Sequence, residues 1–342
     1  MRISDFDYHL PEELIAQTPL AERDASRMLV VDRRRQTWTD SSFHSFANYL
    51  EPDDVVVINN TRVIPARLLG HRRGSGGRVE VFLVRQLDEN DWEALVRPGG
   101  RLRSGSIVDF EERLSAEILS DAGSELRCVR FTCDASFDEV LARIGSTPLP
   151  PYIKRTVTSD EDRERYQTIY ARQPGAIAAP AAGLHFTPDV LASIGQICTV
   201  AEITLHVGYG TFEPVRVDEL DQHAVSGERY EIDKVAAQAI NTARARGGKV
   251  IAIGTTTVRA LESACNNSGE VIAQQGEATL TILPGYQFRA IDTLLTNFHL
   301  PRSSLLLLVS AFAGKDLVLG AYKQAVDQRY RFYSYGDCML IL

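Results

Sequence analysis

Three short apolar runs in this chain end abruptly in residues that chemistry needs. ITLHVG passes into GYGTF at 208–212, VIAIG into Thr255, Thr256 and Thr257, and LLTNFHL into PRSS. His206 and His299 sit at two of these transitions. Imidazole takes and returns protons near neutral pH, so both are candidates for general acid–base work. A third candidate, His185, is delivered by GAIAAPAAGLHFTPD at 175–189, where Gly175, Pro180 and Gly183 let the backbone approach a ligand closely. We rank His185 first, because His206 lies in an alternating strand pattern that can simply bury it and His299 lies just before Pro301. The same stretch also reads as tight helix packing with His185 satisfied in a core. GYGTF likewise reads two ways, as a tight turn or as a place where a flat base stacks on Tyr209. Near the C-terminus RYRFYSYGDCMLIL mixes Arg329, Arg331 and four aromatics with Asp337, which suits either base stacking or an amphipathic strand closing a sheet.

Side chains from such distant segments meet only if something positions them. Open α/β sheets do this: ligand groups converge beyond the carboxyl ends of the strands, so His206, Thr255, Thr256, Asn297 and His299 are expected to line one cleft. After Pro151 helical and strand patterns alternate, with DRERYQTIYA, PDVLASIGQ, KVAAQAINTARARG and TTTVRALESAC as helices and ITLHVG and KVIAIG as strands. The three threonines are expected to cap a helix whose positive end faces the cleft, ready for a carboxylate or phosphate, and Ser303 or Ser304 to cap the next. Residues 1–60 add a helix candidate, PEELIAQ, and a buried strand, DDVVVINN. Between them lie six short strand-like segments, ARLLGHR, GRVEVFLVRQL, WEALVRP, SIVDF, AEILS and LRCVRFTC, separated by turn residues, which suggest a small antiparallel barrel. SFDEVLARIG follows as a helix and STPLPPYI as a stiff connector. The expected architecture is an α/β sheet domain built from both ends of the chain, residues 1–61 and 151–342, with a β-barrel domain of residues 62–150 inserted.

The 342 residues and 44% hydrophobic content suit a chain with a substantial core. A net charge of −8 argues against indiscriminate adhesion to nucleic acid, yet 32 of the 37 basic residues are arginine, and eight of them fall between Arg67 and Arg103. Arginine suits phosphate through its planar fork. Five cysteines, with no metal-ligand spacing, point to a reducing compartment; the sequence opens on a polar stretch rather than a signal peptide, and its most apolar run, Leu305 to Ala313, is far shorter than a membrane span. A cytoplasmic protein is expected, with no membrane partner. Neither HExxH, GxGxxG nor GxxxxGK[ST] occurs, so zinc-protease, dinucleotide and P-loop readings are poor and no metal is expected. His9, His44 and His71 read as solvated.

Taken in order, DFDYHLPEELIAQTPLAERDASRML, NNTRVIPARL, GLHFT, LHVGYGTFEPV, HAVSGERYEI, IGTTTVRALES, TNFHLPRSSLLLLVSAFAG and YRFYSYGDCMLI resemble the S-adenosylmethionine:tRNA ribosyltransferase-isomerase family of queuosine biosynthesis. The resemblance runs from Asp5 to the C-terminus. It departs where the family pattern reads GSVAAPTAGLHFT and this chain has Ala176 and Ala181, so no role rests on a hydroxyl at either place. The resemblance implies transfer and isomerisation of the ribosyl part of S-adenosylmethionine onto 7-aminomethyl-7-deazaguanine at the wobble position of a tRNA with a GUN anticodon, giving epoxyqueuosine-tRNA, adenine and methionine. It implies a monomer with no cofactor, S-adenosylmethionine being a consumed co-substrate. His185, His206 and His299 then become the candidate catalytic residues. Thr255, Thr256 and Thr257 suit the methionine carboxylate or ribose hydroxyls, Arg259 a carboxylate or phosphate, and Tyr209, Phe212 and Tyr335 stacking; Gly183, Gly210, Thr211, Asn297, Gly336 and Asp337 complete the candidate binding set. Arg72, Arg73, Arg101 and Arg103 are expected to share the tRNA contact if the barrel faces RNA. Two rivals are an RNA-binding protein without catalysis and a base-exchanging transglycosylase, and the second wants a nucleophilic aspartate that nothing favours here.

Overall fold

The computed structural model describes residues 1–119, 126–154, 160–212, 215 and 217–342. The chain enters through β1 (Arg27–Asp32), β2 (Thr37–Ser42), β3 (Val55–Asn59) and β4 (Thr61–Val63). β5 (Arg67–Arg72), β6 (Arg78–Gln86), β7 (Asp91–Arg97), β8 (Ile107–Asp109), β9 (Ser115–Ile118) and β10 (Leu126–Thr132) then close on themselves as a six-stranded antiparallel barrel. These are the six segments anticipated from the sequence. Alternation explains the closure: in β6 every second residue, Val79, Val81 and Leu83, is buried in the barrel core beside Trp92, Ala94 and Val96 of β7. Helix α1 (Phe137–Ile144) plugs this core with Phe137, Val140 and Leu141.

The chain continues through α2 (Asp160–Arg165), β11 (Gln173–Ala176), α3 (Pro188–Ile197), β12 (Thr199–Leu205), β13 (Glu228–Ile232), α4 (Lys234–Ala245), β14 (Val250–Ile253), α5 (Thr255–Ala264), β15 (Gln274–Ala278), β16 (Thr293–Asn297), α6 (Ser304–Ala313), α7 (Lys315–Asp327) and β17 (Cys338–Ile341). Nine strands form the main sheet in the order β15-β13-β12-β3-β14-β16-β17-β1-β2, so both ends of the chain build it and the barrel interrupts it. β12, β3, β14 and β16 run parallel, with every residue of β3, β14 and β16 buried, as parallel strands covered on both faces require. Their carboxyl ends therefore lie along one edge. β17 runs antiparallel to β16 and pairs Cys338 with Asn297, while β1 pairs Met28 with Cys338; both strands thus start at that same edge.

Two expected helices are shorter than their patterns. PEELIAQ yields only a 3-10 turn at Glu12–Leu14, because the Phe332 amide donates to the Leu14 carbonyl and the Ala16 amide to the Phe332 carbonyl, drawing the segment into strand-like pairing. DRERYQTIYA is helical only as far as Arg165; beyond it the Gln167 side chain docks on the amide and carbonyl of Val63 at 3.0 and 2.8 Å. No single helix among the described residues is long and apolar enough to cross a membrane, and α6 and α7, apolar together, meet at 116°.

Candidate active site

The parallel strand ends enclose a narrow slot of about 60 Å³, walled by Thr255, Thr256, Thr296, Asn297, Phe298 and His299 on the sheet side and by residues 178–182, Tyr152, Tyr166, Tyr333 and Ser334 opposite. Its geometry begins at Gly254, which ends β14 and starts α5 at φ 90°, ψ 155°, a conformation open essentially to glycine alone. That turn puts Thr255 and Thr256 at the positive end of α5 in the slot wall. The threonines do not cap the helix as expected: Gly254 occupies the cap position, and Thr257 is wholly buried, its hydroxyl donating to the Ile253 carbonyl at 2.7 Å. Ser303 does cap α6, accepting the Leu306 amide. Asn59 ties the neighbouring ends together, accepting the Leu205 and Thr61 amides and donating to the Leu205 carbonyl and the Thr256 hydroxyl.

The three histidines occupy three different places. His299 is in the slot wall, 6% exposed. Its Nε2 lies 2.9 Å from the Thr296 hydroxyl, which itself lies 3.4 Å from the Asn297 carbonyl. With that hydroxyl donating to the carbonyl, Nε2–H donates to Thr296 and Nδ1 keeps its lone pair. Burial pulls the His299 pKa down to about 3, so the ring is neutral at physiological pH. His185, 3% exposed, lies beneath the slot instead of in it: Nδ1 is 2.8 Å from the Ser26 hydroxyl and Nε2 is 3.1 Å from Asn297 Oδ1. Burial again dominates, lowering its pKa to about 4 against the raising effect of the Asn297 hydrogen bond. Since the Asn297 amide donates to the carbonyls of Tyr333 and Ser334, His185 orients the asparagine that holds the opposite wall. His206 faces a second cavity between the sheet and the barrel, with Nδ1 2.8 Å from the Thr61 hydroxyl; burial lowers its pKa as well. The expected single cleft thus collects Thr255, Thr256, Asn297 and His299 but not His206, and His185, ranked first among the candidate bases, is not in its wall either.

The remaining candidates divide in the same way. Gly183 is a packing glycine, since a Cβ there would lie 2.2 Å from the Tyr170 hydroxyl. Tyr335 is buried edge-on against Tyr166 at 5.8 Å, and Gly336 packs on the Arg331–Phe332 backbone. Asp337 is a staple: its two oxygens accept the amides of Arg27 and Arg331 at 2.9 and 2.8 Å, closing the loop that carries Tyr333 and Ser334. Tyr209 and Gly210 line the cavity against the barrel, where Tyr209 meets Phe82 at 6.1 Å. The side chains of Thr211 and Phe212 fall outside the described residues. Arg259 lines a third cavity, of about 330 Å³, which adjoins the slot at Leu305 and Tyr333. Ala181 borders the slot and Ala176 is buried in β11.

Sequence reasoning passed over Tyr152, Tyr333 and Ser334. The Pro-rich connector read as mere linkage, yet its Tyr152 hydrogen-bonds Ser334 and packs edge-on to Tyr333 at 3.9 Å between ring centres. In the C-terminal motif the positive φ of Tyr333, 74°, turns Tyr333 and Ser334 to the slot and sends Tyr335 away. The run of alternating aromatics was the available signal, and no pattern marks which of them reverses.

The family model for a queuosine biosynthesis protein matches residues 3–341. Over 344 aligned residues covering all of both chains, the sequence is 51% identical to the S-adenosylmethionine:tRNA ribosyltransferase-isomerase of Pelotomaculum thermopropionicum and 48% identical to that of Desulforamulus reducens. Among solved structures, the S-adenosylmethionine tRNA ribosyltransferase of Thermotoga maritima is 36% identical and matches with a TM-score of 0.56, over 99% of this chain and all of that one.

Proposed function

The chain belongs to the queuosine biosynthesis protein family, and from that premise we propose that it transfers and isomerises the ribosyl moiety of S-adenosylmethionine onto 7-aminomethyl-7-deazaguanine at the tRNA wobble position. Adenine and methionine leave, and no cofactor is required because S-adenosylmethionine is consumed. We assign it tRNAs with a GUN anticodon and monomeric action in the cytoplasm. The observation that carries the reading is end-to-end identity of about half to relatives bearing this name.

The site supports a proton-transfer role for His299. The sulfonium of S-adenosylmethionine acidifies the protons on the adjacent C5′, and a neutral imidazole with a free Nδ1 lone pair in the slot wall can take one. Burial penalises the imidazolium formed, but the step moves a positive charge from sulfonium to imidazole and creates none. Adenine then departs, the amine of the modified base adds, and methionine leaves as the epoxide closes. Thr255 and Thr256, at the start of α5, suit the ribose hydroxyls. The slot is smaller than the roughly 300 Å³ at which small-ligand pockets begin, so it takes only the reacting part of the substrate.

The test is product analysis with tRNA bearing or lacking the deazaguanine base. Adenine and methionine should appear together, and only with the modified tRNA. Their release with unmodified tRNA would remove the acceptor from the reading, and no release with either tRNA would leave a binding protein.

A further inference from the structure

β16 ends at Asn297, and residues 298–301 form neither strand nor helix. His299 is nonetheless buried, so its amide and carbonyl need partners from outside any ladder. Two tyrosines supply them. The His299 amide donates to the Tyr322 hydroxyl at 3.0 Å, and the Tyr8 hydroxyl donates to the His299 carbonyl. Burial raises the Tyr8 pKa, so its phenol keeps the proton that this bond requires.

Both tyrosines come from far along the chain. Tyr8 belongs to the opening stretch DFDYHLPEEL and Tyr322 to α7, and neither lines the slot. Their rings meet edge-on at 5.1 Å, and Tyr322 meets Phe298 in the same way at 5.2 Å, so one aromatic cluster holds the residue just before His299. The N-terminal segment is also fastened beyond His299: the Arg302 amide donates to the Phe6 carbonyl at 3.1 Å, and the Arg302 side chain pairs with Asp7. On the ring side, Nε2 rests against the Thr296 hydroxyl. Residue 299 is thus held at its amide, its carbonyl and one ring nitrogen, while its other ring nitrogen has no partner among the described residues.

We propose that Tyr8 and Tyr322 are positioning residues for the reaction, clamping the main chain of His299 so that its imidazole stays within reach of a substrate proton in the slot. The proposal rests on the assignment of His299 as the base. Proton transfer needs a heavy-atom approach of roughly 2.6 to 3.2 Å, and a misplacement of about 1 Å costs on the order of 10²-fold in rate. A clamp on residue 299 itself controls that distance without touching substrate. Hydroxyls that served only to satisfy buried backbone would change stability when removed, and not the chemical step.

The experiment compares wild type, Tyr8→Phe, Tyr322→Phe and the double variant, each alone and combined with His299→Ala. Each Phe substitution removes one oxygen and keeps the ring in its cluster. The readouts are melting temperature, kcat and KM with modified tRNA, and hydrogen exchange at C5′ of S-adenosylmethionine. Each hydroxyl removed should lower kcat and exchange by roughly 10- to 100-fold, with KM held within about twofold. In the His299→Ala background the same substitutions should change kcat by less than about twofold, because the clamp acts only through the residue it holds. A lowered melting temperature with kcat and exchange unchanged overturns the proposal, since the tyrosines would then be structural alone. So does a loss of kcat that persists in full without the His299 ring. If Tyr322→Phe does not fold, Tyr8→Phe, at a half-buried position, carries the test. If His299→Ala alone leaves kcat and exchange at wild-type levels, the assignment of the base has failed and the clamp with it, and that result appears before any tyrosine is changed.

Discussion

His185 bonds Asn297 from outside the slot, while His299 bonds the neighbouring Thr296 from within the slot wall, and their different partners give them different tests. One ring nitrogen of His299 has no hydrogen-bond partner among the described residues and is available to a substrate proton, whereas both nitrogens of His185 are engaged. His299→Ala should therefore lower kcat by about 10²- to 10⁴-fold and abolish hydrogen exchange at C5′ of S-adenosylmethionine, with substrate affinity largely intact. His185→Ala should leave exchange measurable while raising KM, because it frees Asn297 and through it the Tyr333–Ser334 wall; exchange lost with His185 and kept without His299 would reverse the roles. Burial also links both rings to stability. In the unfolded chain they titrate near 6.5, in the folded one near 4 for His185 and 3 for His299. Between pH 6.5 and about 4 the unfolded chain binds protons that the folded chain refuses, so stability is complete above 6.5 and falls as pH falls, by up to about 1.4 kcal/mol per pH unit for each ring. Urea unfolding at pH 5 and 7 should show this, and His185→Gln should remove one ring's share of the difference.

At the scale of elements, the slot depends on how β14 turns into α5. Gly254 lies where other residues are strained, yet a Cβ there would meet the Ala182 methyl at 3.6 Å and the Thr256 hydroxyl at 3.7 Å, both ordinary contacts. Gly254→Ala should thus cost about 1 to 3 kcal/mol through the backbone alone. Thermal unfolding and turnover should fall together, and an unchanged melting temperature would show that the turn accommodates alanine. Much of this level was legible in the sequence. The six barrel strands announce themselves by alternation and turn residues, and the buried run VVVIN and the helix after VIAIG follow from pattern alone. What escaped was decided by contacts between distant segments. PEELIAQ has helical composition but loses its carbonyls and amides to Phe332, 300 residues and more away. His185 has the setting of a ligand loop but is claimed by Ser26 and Asn297, and no local spacing signals either partner.

For the whole molecule, the open matter is how an acidic chain holds an acidic substrate. Several of the barrel's arginines are committed to its own surface: Arg67 pairs with Glu80, Arg73 forks onto Asp109, Arg85 pairs with Glu93 and Arg130 with Asp91. Of the four arginines expected to meet RNA, Arg72 and Arg103 make no ion pair among the described residues, Arg73 is engaged, and the Arg101 side chain lies outside them. Binding of tRNA should weaken with salt, and Arg72→Ala and Arg103→Ala should each reduce the log-log slope by roughly 0.7 to 0.9 where the side chain meets a phosphate. An unchanged slope in the folded double variant would move the RNA surface to the main sheet and its loops. The central claim, that the ribosyl part of S-adenosylmethionine is what reaches tRNA, is tested most directly with S-adenosylmethionine labelled separately in the ribose and in the methyl group. Ribose label should enter the tRNA while methyl label leaves as methionine. Methyl label in the tRNA, with the ribose label left in solution, would contradict it.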